Sequence, residues 1–452
     1  MPSRASRAPT LLRSTLLASR RTPKCLHSPC LQSPIHGSVA CYHPSRRREG
    51  SQWSAAVAAA QHVFNAPPTD SPIGIDPLRV VAKELKFLTG NIQQLLGSGH
   101  PLLDRVAKYY TKSEGKYVRP MLVLLMSQAT ALTPRYSSGS TPSSPSHRAS
   151  SIDEPLSPPI ILSDANPSQN PLTSQDSTTT VASEDILPSQ RRLAEITELI
   201  HTASLLHDDV LDTSVTRRSA PSANIAFGNK MAVLAGDFLL GRASVALARL
   251  RDPEVVELLA TVIANLVEGE FMQLKNTSAT TDAKHPTYSE DTLSYYLQKT
   301  YLKSASLISK SCRAAALLGH SAPEVVDAAY AYGRNLGLAF QLVDDMLDYT
   351  ISGVELGKPA GADLELGLAT APLLFAWKED ARLGELVGRR FGGEGDVQMA
   401  RDMVLRSTGL EQTRALAQSY VDKAIAAISG FPDSDAKAGL VEMCTKVMDR
   451  RK

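Results

Sequence analysis

The chain has 452 residues, of which 43% are apolar, 21% charged and 5% aromatic, a composition that excludes a wholly disordered or fibrous protein and allows a large buried core. A formal net charge of +2 gives no reason to expect nucleic acid as a partner. No uninterrupted apolar run reaches the length of a membrane span; the nearest, 231–250, is broken by Asp237 and Arg242, so no transmembrane segment is expected.

Residues 1–48 contain nine Lys or Arg and no acid before Glu49. Ser, Leu, Ala and Arg alternate there without a long apolar core, so the segment reads as a mitochondrial transit sequence, with 1–73 as targeting segment and lead-in. Cys25, Cys30 and Cys41 would leave with it, and Cys312 and Cys444 alone form neither a disulfide framework nor a metal-spaced cluster. Helical periodicity then runs through 77–97, 101–112 and 119–133. It stops at 134–189, where 24 of 56 residues are Ser or Pro, a composition that cannot offset its own ordering entropy and predicts a disordered insertion. Helical patterns resume at Arg191. Leu193, Ile196, Leu199, Ile200, Ala203 and Leu206 mark one apolar face, and further patterns occupy 232–250, 253–275, 290–319, 323–350 and 410–429. No alternating strand pattern and no Gly-rich phosphate loop appears. The expected fold is all-α: one large many-helix bundle formed by 74–133 and 190–452.

Two stretches interrupt this helical logic. His207-Asp208-Asp209-Val210-Leu211-Asp212 and Val343-Asp344-Asp345-Met346-Leu347-Asp348 each close an apolar pattern, 136 residues apart. In both, carboxylates at i and i+4 stack on one helix face without basic partners at the same spacing. Such repulsion calls for a compensating cation, and Mg²⁺ characteristically joins one or two carboxylates to substrate phosphates. Basic groups follow each turn: Thr216-Arg217-Arg218 after the first and Gly357-Lys358-Pro359 after the second. Gly115-Lys116-Tyr117-Val118-Arg119-Pro120 adds another pair, and Lys299 and Lys303 stand one turn apart. Together they provide what two diphosphates need, Arg as a fork and Lys as a point charge.

These motifs, with Phe340-Gln341-Leu342-Val343-Asp344-Asp345 as a block, resemble those of the trans-isoprenyl diphosphate synthases. The similarity is to the long-chain branch of the mitochondrial ubiquinone pathway, the hexaprenyl and decaprenyl diphosphate synthases, over roughly 77–133 and 190–450. It implies a magnesium-dependent prenyltransferase that adds isopentenyl diphosphate to an allylic diphosphate such as farnesyl or geranylgeranyl diphosphate. By position, Asp208, Asp212 and Asp344 correspond to the magnesium ligands, with Asp209, Asp345 and Asp348 supporting them. Lys116, Arg119, His201 and Arg218 match the holders of isopentenyl diphosphate. Arg217, Lys303, Gln341 and Lys358 match those of the allylic diphosphate, and Ser304 stands where a Thr is common. Leu368 replaces a Lys found in other branches. Ala203 and Ser204, five and four positions before the first aspartate, fall where the growing chain passes. Both are small, which implies an open tunnel and a product of about six to ten isoprene units. The resemblance also implies a homodimer or hetero-oligomer, and a greasy product makes peripheral contact with the inner membrane plausible. Two other readings stand beside it: a terpene cyclase, disfavoured by the second aspartate triplet, and a non-catalytic subunit of a hetero-oligomeric synthase.

Overall fold

The computed structural model describes residues 75–112, 117–135, 185–217, 220–277, 286–350 and 361–450. They are helical nearly throughout, as the periodicity predicts. The longer helices are α1 (Ala82–Leu95), α2 (Pro101–Ala107), α3 (Val118–Ala131), α4 (Pro188–Leu211), α5 (Asn229–Arg249), α6 (Pro253–Thr277), α7 (Glu290–Thr300), α8 (Ser306–Leu318), α9 (Pro323–Thr350), α10 (Ala371–Glu379), α11 (Asp396–Arg406), α12 (Gly409–Ala427) and α13 (Asp435–Met448). Among the described residues, strand is confined to a two-residue ribbon, Thr216–Arg217 against Ala220–Pro221. It is too short to carry a period of two.

Helix α4 organises the bundle. Its predicted apolar face, Leu193, Ile196, Leu199, Ile200, Ala203 and Leu206, is fully buried, against α3, α5 and α8. The helix begins at Pro188 rather than near Arg191. Proline suits a first helical position because its missing N–H needs no partner there, and Gln190 Oε1 accepts the Leu187 N–H at 2.9 Å. Arg191 forks both oxygens of Glu84 at 2.5 and 3.0 Å, tying α4 to α1. The predicted insertion lies largely outside the described residues. Its two rims meet the same corner of the bundle, with the Ala322 N–H donating to the Pro134 carbonyl at 3.0 Å and Gln190 Nε2 to the Ala315 carbonyl at 2.8 Å.

Helix α5 is long and apolar enough to cross a membrane by length and composition. It packs along α4 instead, and Arg242 is drawn in over the Phe238 ring, donating to the Gly97 carbonyl at 3.0 Å. The predicted single helix over 290–319 is divided by a turn of π-helix, Tyr301–Ala305. Glycines on both flanks make room for this bulge: an ideal Cβ on Gly269 of α6 would lie 2.9 Å from the Lys303 backbone nitrogen, and one on Gly337 of α9 2.7 Å from Ala305 Cα. The π-turn places Lys303 and Ser304 between those two helices, and such turns recur at functional sites.

Candidate active site

Both acidic turns sit at the C-terminal ends of their helices, and both divide their carboxylates in the same way. Asp208 opens the first turn, and Asp212 caps α4, its N–H bonding the Asp208 carbonyl at 2.8 Å. The middle residue, Asp209, points into the bundle and is fully buried. One of its oxygens takes Nε and Nη2 of Arg217, both at 2.7 Å, and the other takes the Tyr110 hydroxyl. That hydroxyl accepts the Ala223 N–H at 2.8 Å. In the second turn, Asp344 is exposed while Asp345 is buried. Asp345 accepts from the Tyr296 hydroxyl at 2.5 Å and from Gln341 Nε2 at 2.8 Å, and the Gln341 carbonyl oxygen accepts from Ser304 at 2.7 Å. Each middle aspartate is therefore clamped inward by a tyrosine. The outer pair is left a common face because i and i+4 stack while i+1 is rotated about 100°.

The middle aspartates thus work as anchors. Asp209→Ala strands the Arg217 guanidinium beside a lost partner, and breaking such a buried pair costs roughly 3–5 kcal/mol. The expected result is a clear fall in Tm by circular dichroism; an unchanged Tm would contradict an anchoring role.

The lysines connect the two turns. Lys303 pairs with Glu270 of α6 at 2.6 Å. Burial works to lower its pKa, but Asp208 and Glu270 outweigh that and hold the ammonium above its ordinary value. Lys299, one turn earlier, is buried against the Tyr296 ring and feels Asp345, Lys303, Asp363 and Glu270, with burial holding its pKa below normal. Burial raises Asp208 to about 6, opposed by Lys303 and reinforced by Glu270 and Asp212. Burial likewise raises Asp345 to about 6, opposed by its two hydrogen bonds and Lys299. Asp363 is pushed well above the carboxylate range by burial and by Asp345, Asp348 and Asp344. This concentration of partly desolvated acid favours added positive charge. Among the described residues no three acidic, His or Cys groups form a ready-made metal cage. Paired carboxylates suit Mg²⁺, which keeps most of its coordination for water and phosphate.

From Asp208 a cleft runs between α4, α5 and α6. Asp208 and Glu270 stand in its wall with Ser204 and His207, and Leu240, Leu266 and Val267 are among its apolar lining. Ser204, predicted to border the growing chain, lies on this wall. Ala203 does not: it is fully buried in the core, because consecutive helical residues point about 100° apart and both cannot face one cleft. Arg119 and His201 are brought together, Nη1 to Nε2 at 3.0 Å. Arg217 and Gln341, predicted to hold the allylic diphosphate, spend hydrogen bonds on the anchoring aspartates. Asp348 accepts the Asp363 N–H at 3.3 Å, and Asp344 pairs with Arg450 at 2.9 Å, whose guanidinium also covers the Phe340 ring. Lys116, Arg218 and Lys358 lie outside the described residues.

Sequence reasoning missed Glu270, Tyr110, Tyr296 and Asp363. An acid beside Gly269 on an apolar helix was the available signal for Glu270. Nothing in local spacing marks the two tyrosines, which reach their aspartates across 99 and 49 residues.

A helical bundle with one acidic turn at the head of an apolar cleft, and a second linked to it through Lys303 and Lys299, fits the class of the isoprenyl diphosphate synthases. The polyprenyl synthetase family profile matches residues 170–404. The chain is 65% identical to the probable mitochondrial hexaprenyl pyrophosphate synthase of Neurospora crassa, over 97% of this chain and 96% of that one. It is 46% identical to the mitochondrial hexaprenyl pyrophosphate synthase of Saccharomyces cerevisiae, covering 90% and 97%. The crystal structure of a polyprenyl synthase from Caulobacter crescentus, complexed with calcium and isoprenyl diphosphate, superposes with a TM-score of 0.65 at 28% identity, covering 85% of this chain and all of that one. The chain belongs to the polyprenyl synthetase family.

Proposed function

We propose that the protein is a mitochondrial all-trans-polyprenyl diphosphate synthase that makes a side-chain precursor of ubiquinone of about six to ten isoprene units. The observation that carries this reading is the cleft itself, with charge at Asp208 and Glu270 and an apolar wall beyond. Its two ends match a substrate with a diphosphate head and a hydrocarbon tail. The basic, acid-free stretch 1–48 and the mitochondrial relatives support the location.

Asp208, Asp212 and Asp344 would hold Mg²⁺, which supplies positive charge to stabilise the departing diphosphate. Lys303, held protonated by Asp208 and Glu270, adds a fixed charge at the same head group. His201 and Arg119 form part of the isopentenyl diphosphate clamp, together with Lys116 and Arg218. Arg217 and Lys358 complete the allylic side, and Ser304 and Gln341 steady the second acidic turn through Asp345. The allylic C–O bond ionises, the isopentenyl double bond attacks the resulting cation, and a proton leaves to the released diphosphate. The chain's contribution is orientation and a dry apolar wall, because water would quench the cation.

Large apolar side chains exposed on one face of α5 away from the cleft lining, Leu234 and Val245, support a homodimer through this face. Purified protein given farnesyl diphosphate, isopentenyl diphosphate and Mg²⁺ is expected to yield elongated prenyl diphosphates and to scatter light as a dimer. No elongation under these conditions would refute the enzymatic reading; a monomer mass would refute the pairing.

A further inference from the structure

Next to Asp208, the side chain of His207 occupies an unusual seat. Its imidazole lies directly over Gly236 of α5, where an ideal Cβ would fall 2.2 Å from Nε2, 2.5 Å from Cδ2 and 2.9 Å from Cε1. Real Cβ contacts do not come so close, so any residue but glycine evicts the ring. The three nearest atoms all belong to His207, so the notch is specific to this side chain. Within it, Nε2 is 3.3 Å from the Val233 carbonyl and 3.5 Å from Asp237 Oδ1. Asp237, one of the two charges that interrupt the apolar run of α5, thereby has a task. His207 also lines the cleft, between Ser204 one turn earlier and Asp208 beside it.

We propose that Gly236 is a specificity-determining residue whose missing side chain parks the His207 ring against α5 and keeps the upper cleft open to the allylic chain. With the notch filled, the ring must leave its seat against α5, and the cleft that it already lines lies beside that seat. The ring then stands where the first isoprene units of the primer must pass. His207 is a positioning residue here: its ring marks the boundary of the passage, and the notch sets where that boundary lies. This inference rests on reading the cleft as the allylic-chain site.

The test is a double-mutant cycle with steady-state kinetics, varying farnesyl diphosphate and isopentenyl diphosphate in turn. Gly236→Ala is expected to raise the KM for farnesyl diphosphate about tenfold and leave that for isopentenyl diphosphate unchanged. In the His207→Ala background the same Gly236→Ala change is expected to have no further effect on either KM, since the ring it displaces is gone. A primer KM equal to wild type in Gly236→Ala would overturn the proposal, as would an equal penalty in both backgrounds, which would place the effect in helix packing. Equal rises in both KM values would also overturn it. Wild-type enzyme is assayed alongside: absence of elongation there defeats the reading of the cleft, whereas elongation with a silent Gly236→Ala defeats only this inference.

Discussion

Asp208→Asn and Asp344→Asn are each expected to lower kcat by roughly 10²–10³-fold, the scale found when one group stabilising transition-state charge is removed, while Tm stays unchanged or rises slightly for Asp208→Asn and stays unchanged or falls slightly for Asp344→Asn. The two halves of this expectation have separate causes. Burial raises Asp208 to about 6, with Glu270 and Asp212 adding to the penalty, so its charge is held at a cost to the folded state. An amide relieves that cost and removes a ligand. Asp344 is exposed and paired with Arg450, and an exposed ion pair contributes about 0–1 kcal/mol. The contrast is with Asp209 and Asp345, whose buried clamps carry stability. Turnover and thermal unfolding on the same preparations separate the groups. Near wild-type turnover in both outer variants would mean that these carboxylates do not hold the metal.

Ser204→Phe is expected to shorten the product, with chromatography of the dephosphorylated prenols showing loss of the longest chains at preserved initial turnover. Ser204 stands on the wall of the cleft and donates to the His201 carbonyl of its own helix, at 2.9 Å. A benzyl group there projects into the path of the tail. Ala203→Phe should behave differently, although the family resemblance implies one role for the two positions. Ala203 is sealed in the core, where added volume forces neighbours off their rotamers at about 1–3 kcal/mol or more. A lowered Tm with the product distribution intact is expected. If Ala203→Phe shortened the product and Ser204→Phe did not, the cleft would be assigned to the wrong face of α4.

Much of this site could be read from the linear chain because its chemistry is local. Carboxylates at i and i+4 share a face whatever surrounds the helix, so the outer members of both turns were identifiable as a cation-seeking pair. Lys299 and Lys303 were visible for the same reason. The middle aspartates were not separable from their neighbours by spacing. Their burial depends on Tyr110 and Tyr296 arriving from 99 and 49 residues away, with the nearer Arg217 and Gln341 completing the clamps. The π-turn at Tyr301–Ala305 left no trace in periodicity either, since it arises where α6 and α9 offer glycines to a bulge.

By itself, the amino-acid order determined the helical character, the basic leader, the Ser/Pro-rich interruption and the two acidic turns. All are carried by composition or by contacts within one helical turn. Tertiary structure alone decided which carboxylates are anchors, which of Ala203 and Ser204 faces the cleft, and where the His207 ring rests. Those outcomes depend on how α4, α5 and α6 are rotated against one another, and that rotation is set by close packing between residues far apart in the chain.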